Sequence, residues 1–188
     1  MKNDNIFFDI EKIKSLGKNS IIGKTVRIRK PELVSIGNNV IIDDFTYIPC
    51  ELRVGNYSHI GANSTFIGGP GCVEIGSFVN IAPGCQIVTG SNDYKGGGLV
   101  GPSIPTEFSG LAEIQPVKIS DFVLIGCQTV ILPGVTIPDG VSIGAMSLVK
   151  NSNLKPWTLY AGNPLRELGK RDGTLMISQA NKLMESEK

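Results

Sequence analysis

The chain holds a single histidine, His59, in the stretch GNYSHIGANS and immediately before Ile60. Imidazole is the side chain whose ordinary ionisation falls near neutrality, so His59 is the first candidate for removing a proton from an attacking amine or hydroxyl. The acidic candidates lie in a long irregular segment, Asp93 in SNDY and Glu107 in PTEF. Such a carboxylate would orient the imidazole, bind a substrate ammonium or act as the base itself, and the residues leave His59 and Asp93 both open as the base. Asn80, which precedes Ile81 as His59 precedes Ile60, and Tyr94, beside Asp93, are expected to line the same groove as substrate contacts. One histidine cannot build a three-histidine zinc site. The cysteines Cys50, Cys72, Cys85 and Cys127 show no paired CxxC spacing, so no metal is expected and buried free thiols are.

A repeat must position these residues. From Ile36 onward an aliphatic or aromatic residue recurs every six positions: Ile36, Ile42, Ile48, then Val54, Ile60, Phe66, then Ile75, Ile81, Ile87. A short insertion around Gly68 to Glu74 and a long segment from Asn92 to Pro116 interrupt the series, which resumes at Ile119, Ile125, Ile131 and ends at Ile137, Ile143, Val149. A period of six is neither the 3.6 of an amphipathic helix nor the alternation of a simple strand. It demands a coil with short flat faces, three hexapeptides to a triangular turn, with the aliphatic residue inward and a small residue at each corner. The fold expected is all-β: a parallel β-helix over 21–155, with an arm over 92–116 that reaches across a neighbouring subunit's groove. A cap over 1–20, including a short helix from Phe7 to Leu16, precedes the coil. An extended linker from Pro156 to Arg171 and a polar helix from Leu175 to Glu187 complete 156–188, all within one domain.

Composition narrows the partners. A net charge of +1 over 188 residues leaves no basic patch for nucleic acid. The first nineteen residues are broken by Asp4, Asp9 and Glu11, so neither a signal peptide nor membrane insertion is expected, and the cytoplasm is the expected location. At the other end, Gly126, Gly144 and Ala145 are expected to leave backbone amides and carbonyls open to an extended pantetheine arm, with Lys150, Arg166 and Arg171 positioned for phosphates.

Taken together, these residues resemble the hexapeptide-repeat acyltransferases, in particular the branch of sugar acetyltransferases and dTDP-4-amino-4,6-dideoxyglucose acyltransferases of O-antigen synthesis. The resemblance spans roughly Gly37 to Arg166. ILPGVTI, IGAMSLV and YAGNPLR look like the acetyl-CoA-binding end, which adds Pro164 beside Arg166 to the cofactor contacts, while SNDY and PTEF look like that branch's arm. The resemblance implies a left-handed coil, a homotrimer with sites between subunits, acetyl-CoA as co-substrate, and direct attack of a nucleotide-sugar amine on the thioester. Many members carry a histidine in the arm, and this arm has none. Attack by a sugar or glycan hydroxyl, giving an ester, is the alternative acceptor chemistry, and a non-catalytic β-helical scaffold is the alternative outside enzymology.

Overall fold

The computed structural model describes residues 5–150 and 153–186, so positions 1–4 of the expected cap, 151–152 of the coil and Glu187 of the expected terminal helix lie outside the described residues. The short strands wind into a left-handed parallel β-helix of triangular section, with two six-stranded faces and one of eight strands. The first face stacks Ser15–Leu16, Val34–Ile36, Glu51–Val54, Cys72–Ile75, Val117–Ile119 and Thr136–Ile137. The second stacks Ile21–Ile22, Ile41–Ile42, His59–Ile60, Asn80–Ile81, Leu124–Ile125 and Ser142–Ile143, then takes in Thr158–Ala161 and Arg166–Lys170. The third stacks Arg27–Ile28, Tyr47–Ile48, Thr65–Ile67, Gln86–Val88, Val130–Ile131 and Leu148–Val149.

Inward stacking supplies the core. Ile42, Ile60, Ile81 and Ile125 on the second face and Phe66 and Ile87 on the third are completely buried, each contributing about 1.5–3 kcal/mol relative to exposure. A second buried row runs two residues ahead of these, filled by hydroxyls as well as aliphatics: Thr46, Ser58, Ser64, Thr129 and Ser147. The hydroxyls tie one turn to the next. Ser58 donates to the Gly76 carbonyl at 2.8 Å and accepts from the Val79 amide at 3.1 Å, so a buried polar group bonds the neighbouring turn twice.

The corner between the first and second faces carries Tyr57, Phe78, Phe122 and Trp157, all in the left-handed backbone region with φ of 56, 58, 61 and 51°. A bulky residue there is strained. Stacking of the rings offsets the strain: Tyr57 on Phe78 and Phe78 on Phe122 at 5.2 Å, then Phe122 against Trp157 at 5.8 Å. Gly140 lies under the indole, where a Cβ would come within 2.3 Å of the ring.

The ends depart from expectation. No helix spans Phe7 to Leu16; a single 3-10 turn, Ile10–Lys12, is capped by Asp9 and followed by Ser15–Leu16, which pairs with Val34–Ile36. The coil therefore starts at Ser15 rather than near residue 21, because a ten-residue helix is marginal alone and pairing with the next turn supplies more backbone hydrogen bonds. The segment expected as a linker instead closes the coil. Thr158–Ala161 continues the second face in parallel register, and Arg166–Lys170 folds back on it antiparallel. The helix Thr174–Ser186 follows, its first turn capped by Asp172 accepting from the Thr174 amide at 2.9 Å.

Residues 92–116 leave the coil as expected. The arm's root is Gly90–Ser91 paired with Glu113–Ile114, and beyond it the surface is open, with Tyr94 94% and Leu111 91% exposed.

Candidate active site

The second face places its outward side chains in one row: Ile41, His59, Asn80, Leu124 and Ser142 stand in direct register. Asn80 thus stacks on His59 as the repeat predicts, its Oδ1 3.0 Å from His59 Nδ1. The other ring nitrogen, Nε2, lies 2.7 Å from Asp43 Oδ2. His59 and Asp43 are 39% and 41% exposed, so the pair is open to a substrate.

Asp43 was not singled out by the sequence. It follows the inward Ile42 and so belongs to the corner column Gly23, Asp43, Gly61, Ala82, Gly126, Gly144, whose amides donate in turn to carbonyls of the next coil. Every other member of that column is glycine or alanine, and one carboxylate in a small-residue column was the available signal.

The pair fixes the tautomer. An ionised carboxylate only accepts, so Asp43 requires a proton on Nε2 and leaves the neutral ring's lone pair on Nδ1, facing Asn80. An amide offers NH2 from one side and oxygen from the other, so Asn80 serves either charge state by turning about its last torsion. A ring held in this way can take a proton at Nδ1 while the anion behind Nε2 stabilises the imidazolium, the order of parts that nucleophile activation requires.

The other expected site residues divide. Asp93 makes no contact with His59; its two oxygens accept from the Lys95 and Gly97 amides at 2.7 and 2.8 Å, so within one chain it shapes the arm's first turn. Tyr94 is free of the coil surface, and Glu107 sits exposed in the 3-10 turn Thr106–Phe108. Gly126 and Gly144 do share the corner column above Asn80, but their amides are not open: they donate to Ile143 and Tyr160 at 2.8 Å. Their missing side chains make room for the next turn rather than for a ligand, since a Cβ on Gly126 would meet the Ala145 nitrogen at 2.4 Å. The open amides belong to the following residues, Cys127 and Ala145, which are exposed and make no backbone-amide hydrogen bond among the described residues.

Pro164 and Arg166 lie exposed at the top of the same corner, Arg166 paired with Ala161. Lys150 does not join them, because it follows Val149 and so occupies the next corner, between the third and first faces. Arg171 is spent inside the fold. Its Nη1 donates to the Phe122 and Gly140 carbonyls at 2.8 and 3.0 Å, and burial lowers its pKa. Cys50 and Cys85 are buried as expected, with burial pushing Cys50 up to about 12, whereas Cys127 is exposed because it sits at a corner rather than in the inward rows. Among the described residues no helix is long and apolar enough to cross a membrane.

A triangular parallel coil of hexapeptides, with a histidine–carboxylate pair on one face and open corner amides above it, defines a hexapeptide-repeat transferase. The bacterial transferase hexapeptide (six repeats) family model matches residues 34–68. An Escherichia coli dTDP-4-amino-4,6-dideoxy-D-glucose acyltransferase is 32% identical over 166 residues, covering 87% of this chain and 85% of that one. AntD, an N-acyltransferase from Bacillus cereus solved with dTDP and 3-hydroxybutyryl-CoA, superposes with a TM-score of 0.87 at 34% identity, over 98% of this chain and 100% of that one. A single-residue variant of AntD, solved with dTDP-4-amino-4,6-dideoxyglucose and coenzyme A, gives 0.87 at 35% identity over 97% and 98% of the two chains. The chain belongs to the hexapeptide-repeat acyltransferases.

Proposed function

We propose that this protein transfers an acyl group, acetyl in the simplest case, from coenzyme A to the amino group of a dTDP-linked 4-amino-4,6-dideoxyhexose, as a cytoplasmic homotrimer that serves surface-polysaccharide synthesis. The observation that carries the reading is the end-to-end match, arm included, to an N-acyltransferase solved with both dTDP and an acyl-CoA. The same match favours the amine over a hydroxyl acceptor and an enzyme over a scaffold.

In this reading the thioester lies along the corner above Asn80, with the Cys127 and Ala145 amides meeting pantetheine or the developing oxyanion. The sugar nitrogen attacks the thioester carbonyl, and His59 Nδ1, released from Asn80, takes the proton that the nitrogen sheds. Asp43 holds Nε2–H throughout. Collapse of the tetrahedral intermediate expels the thiolate, which recovers the proton from the imidazolium. Asp93, Tyr94 and Glu107 approach on the arm of the neighbouring subunit, where they hold the sugar. Lys150 stands at another corner of the same chain.

Thiol release from acetyl-CoA, measured with dTDP-4-amino-4,6-dideoxyglucose beside plain hexoses, tests the reading. Turnover confined to the amino sugar is expected; turnover with hexose hydroxyls alone moves the assignment to O-acylation, and no release with any acceptor removes the enzyme reading. A chromogenic disulfide reagent gives a second expectation. Cys127 reacts first in the folded protein and coenzyme A slows it, while Cys50 waits for unfolding; unchanged Cys127 labelling under saturating coenzyme A would take the thioester off this corner.

A further inference from the structure

The net charge of +1 conceals an uneven spread. Residues 5–33 carry seven Lys and Arg against three Asp and Glu, a net +4, while residues 34–188 carry ten against thirteen, a net −3. Between Lys12 and Lys30, seven of nineteen residues are cationic and none is acidic. We propose that the first turn of the coil is a membrane-docking end, which seats the molecule upright on a bilayer surface rich in anionic phospholipid. The inference goes beyond the acyl-transfer reading and does not depend on it.

The coil spreads these cations round one blunt end. Lys18 follows Gly17 at the corner between the first and second faces, Lys24 follows Gly23 at the next corner, and Arg29 and Lys30 occupy the third. Lys12 and Lys14 are drawn to that third corner. The Lys14 amide donates to the Pro31 carbonyl at 3.1 Å, and the 3-10 turn Ile10–Lys12 packs beside Pro31–Leu33. All six side chains are exposed, and none forms an ion pair among the described residues. Arg27, the seventh, rests instead against the rings of Phe7 and Tyr47. Of the acidic groups at this end, Asp9 accepts from the Glu11 amide at 3.0 Å, and Asp44, beside Lys24, accepts from the Thr25 amide and hydroxyl at 2.9 and 2.6 Å. Only Glu11 and Glu32 are left to oppose the six.

The arrangement selects the partner. A strand-like polyanion is met by cations in a line, whereas cations at every corner of a triangular end meet a plane of charge. Apolar side chains stand among them: Ile6 is 68% exposed, Ile21 50% and Leu33 38%, and Leu16, the register partner of the inward Ile36, is 37% exposed at this open end. Lysines and arginines interleaved with aliphatic tips suit a headgroup boundary, where lipid phosphates attract the first and acyl chains receive the second. Nucleic acid satisfies only the cations.

End-on docking also fixes where the chemistry sits. His59 stands two turns from Ile21 on the same face, about 10 Å at ordinary strand spacing. The product is then released close to the bilayer, while the far end of the coil, with the Cys127 and Ala145 amides, points into solvent.

The test is co-sedimentation of the intact protein with extruded vesicles, either pure phosphatidylcholine or an equimolar mixture with phosphatidylglycerol. Wild type is expected to pellet with the mixed vesicles, to stay in solution with phosphatidylcholine alone, and to be released by high salt. Replacing Lys12, Lys14, Arg29 and Lys30 together with glutamine should weaken binding to the mixed vesicles by about a hundredfold or more, at roughly fivefold per cation. Melting temperature and thiol release in solution should stay at wild-type values. Lys182→Gln, which removes a cation from the C-terminal helix, should bind vesicles as wild type does. Equal pelleting with both kinds of vesicle, or undiminished binding by the fourfold variant, overturns the docking end. So does a short DNA duplex that strips the protein from the vesicles at equal phosphate concentration, which would mark the end as a polyanion site. Binding confined to the mixed vesicles and lost in the fourfold variant supports it, even where wild type releases no thiol with any acceptor, a result that counts only against the acyl-transfer reading.

Discussion

Replacing His59 with alanine is expected to lower kcat by about a hundredfold, the lower end of what a positioned general base contributes, because an amine needs less activation than a hydroxyl. Asp43→Asn should cost a comparable amount without touching substrate. Asparagine presents either an oxygen or an NH2 to Nε2, and in the second orientation the ring's proton moves to Nδ1, the atom that must accept. The two variants are separable by pH: His59→Ala should flatten the dependence of kcat/KM on pH that wild type shows, and Asp43→Asn should keep that dependence at reduced height. Both proteins should melt near the wild-type temperature, since the pair is half exposed and contributes nothing to the inward rows. If both variants keep kcat within a factor of two or three with the pH profile unmoved, the pair is only a surface contact and the proton leaves by another route.

How much of this was open to reading from the residues depends on which period each residue obeys. The inward row was legible because Ile42, Ile60 and Ile81 recur without exception, and the pairing of His59 with Asn80 followed at once, since each precedes such an isoleucine. Asp43 was hidden by the same regularity. A residue after the inward position reads as corner filler, and its reach to His59 is visible only when the 16-residue separation is folded into neighbouring turns. Phe7, Ile10, Ile13 and Leu16 are spaced by three, which suits half a hexapeptide as well as a helix, and the neighbouring strand Val34–Ile36 decided between them. Gly126 and Gly144 were legible as special but not as to why: the sequence shows a missing side chain, and only the coil shows that the next turn occupies its place. Lys150 and Arg171 were assigned by charge alone. Charge does not say which of three corners a residue turns on, or whether a guanidinium is already spent on carbonyls.

The arm separates fold from function most sharply. The turn before it and the turn after it pair directly, Val73 with Val117, Asn80 with Leu124 and Gln86 with Val130, so the coil passes beneath the arm unbroken. Its root is already a two-stranded ribbon in which Ser91 faces Glu113, and an Asn-Gly pair in place of 92–112 closes such a ribbon with a favoured turn. This truncation is expected to fold with a melting temperature within a few degrees of wild type, because it removes exposed residues such as Tyr94 and Leu111 and none of the buried rows. Activity should fall by about a hundredfold or more, the acceptor having lost the groups that orient it. A loss of that kind does not by itself say whose histidine the arm serves. Co-refolding the arm-less chain with His59→Ala chains does: a site between subunits takes His59 from the first and an intact arm from the second, so two inactive proteins regain turnover on mixing. Full activity in the arm-less protein would remove Asp93, Tyr94 and Glu107 from the site. Absence of recovery in mixed oligomers would confine the arm to its own chain, where Asp93 is bound to its own turn and out of contact with His59.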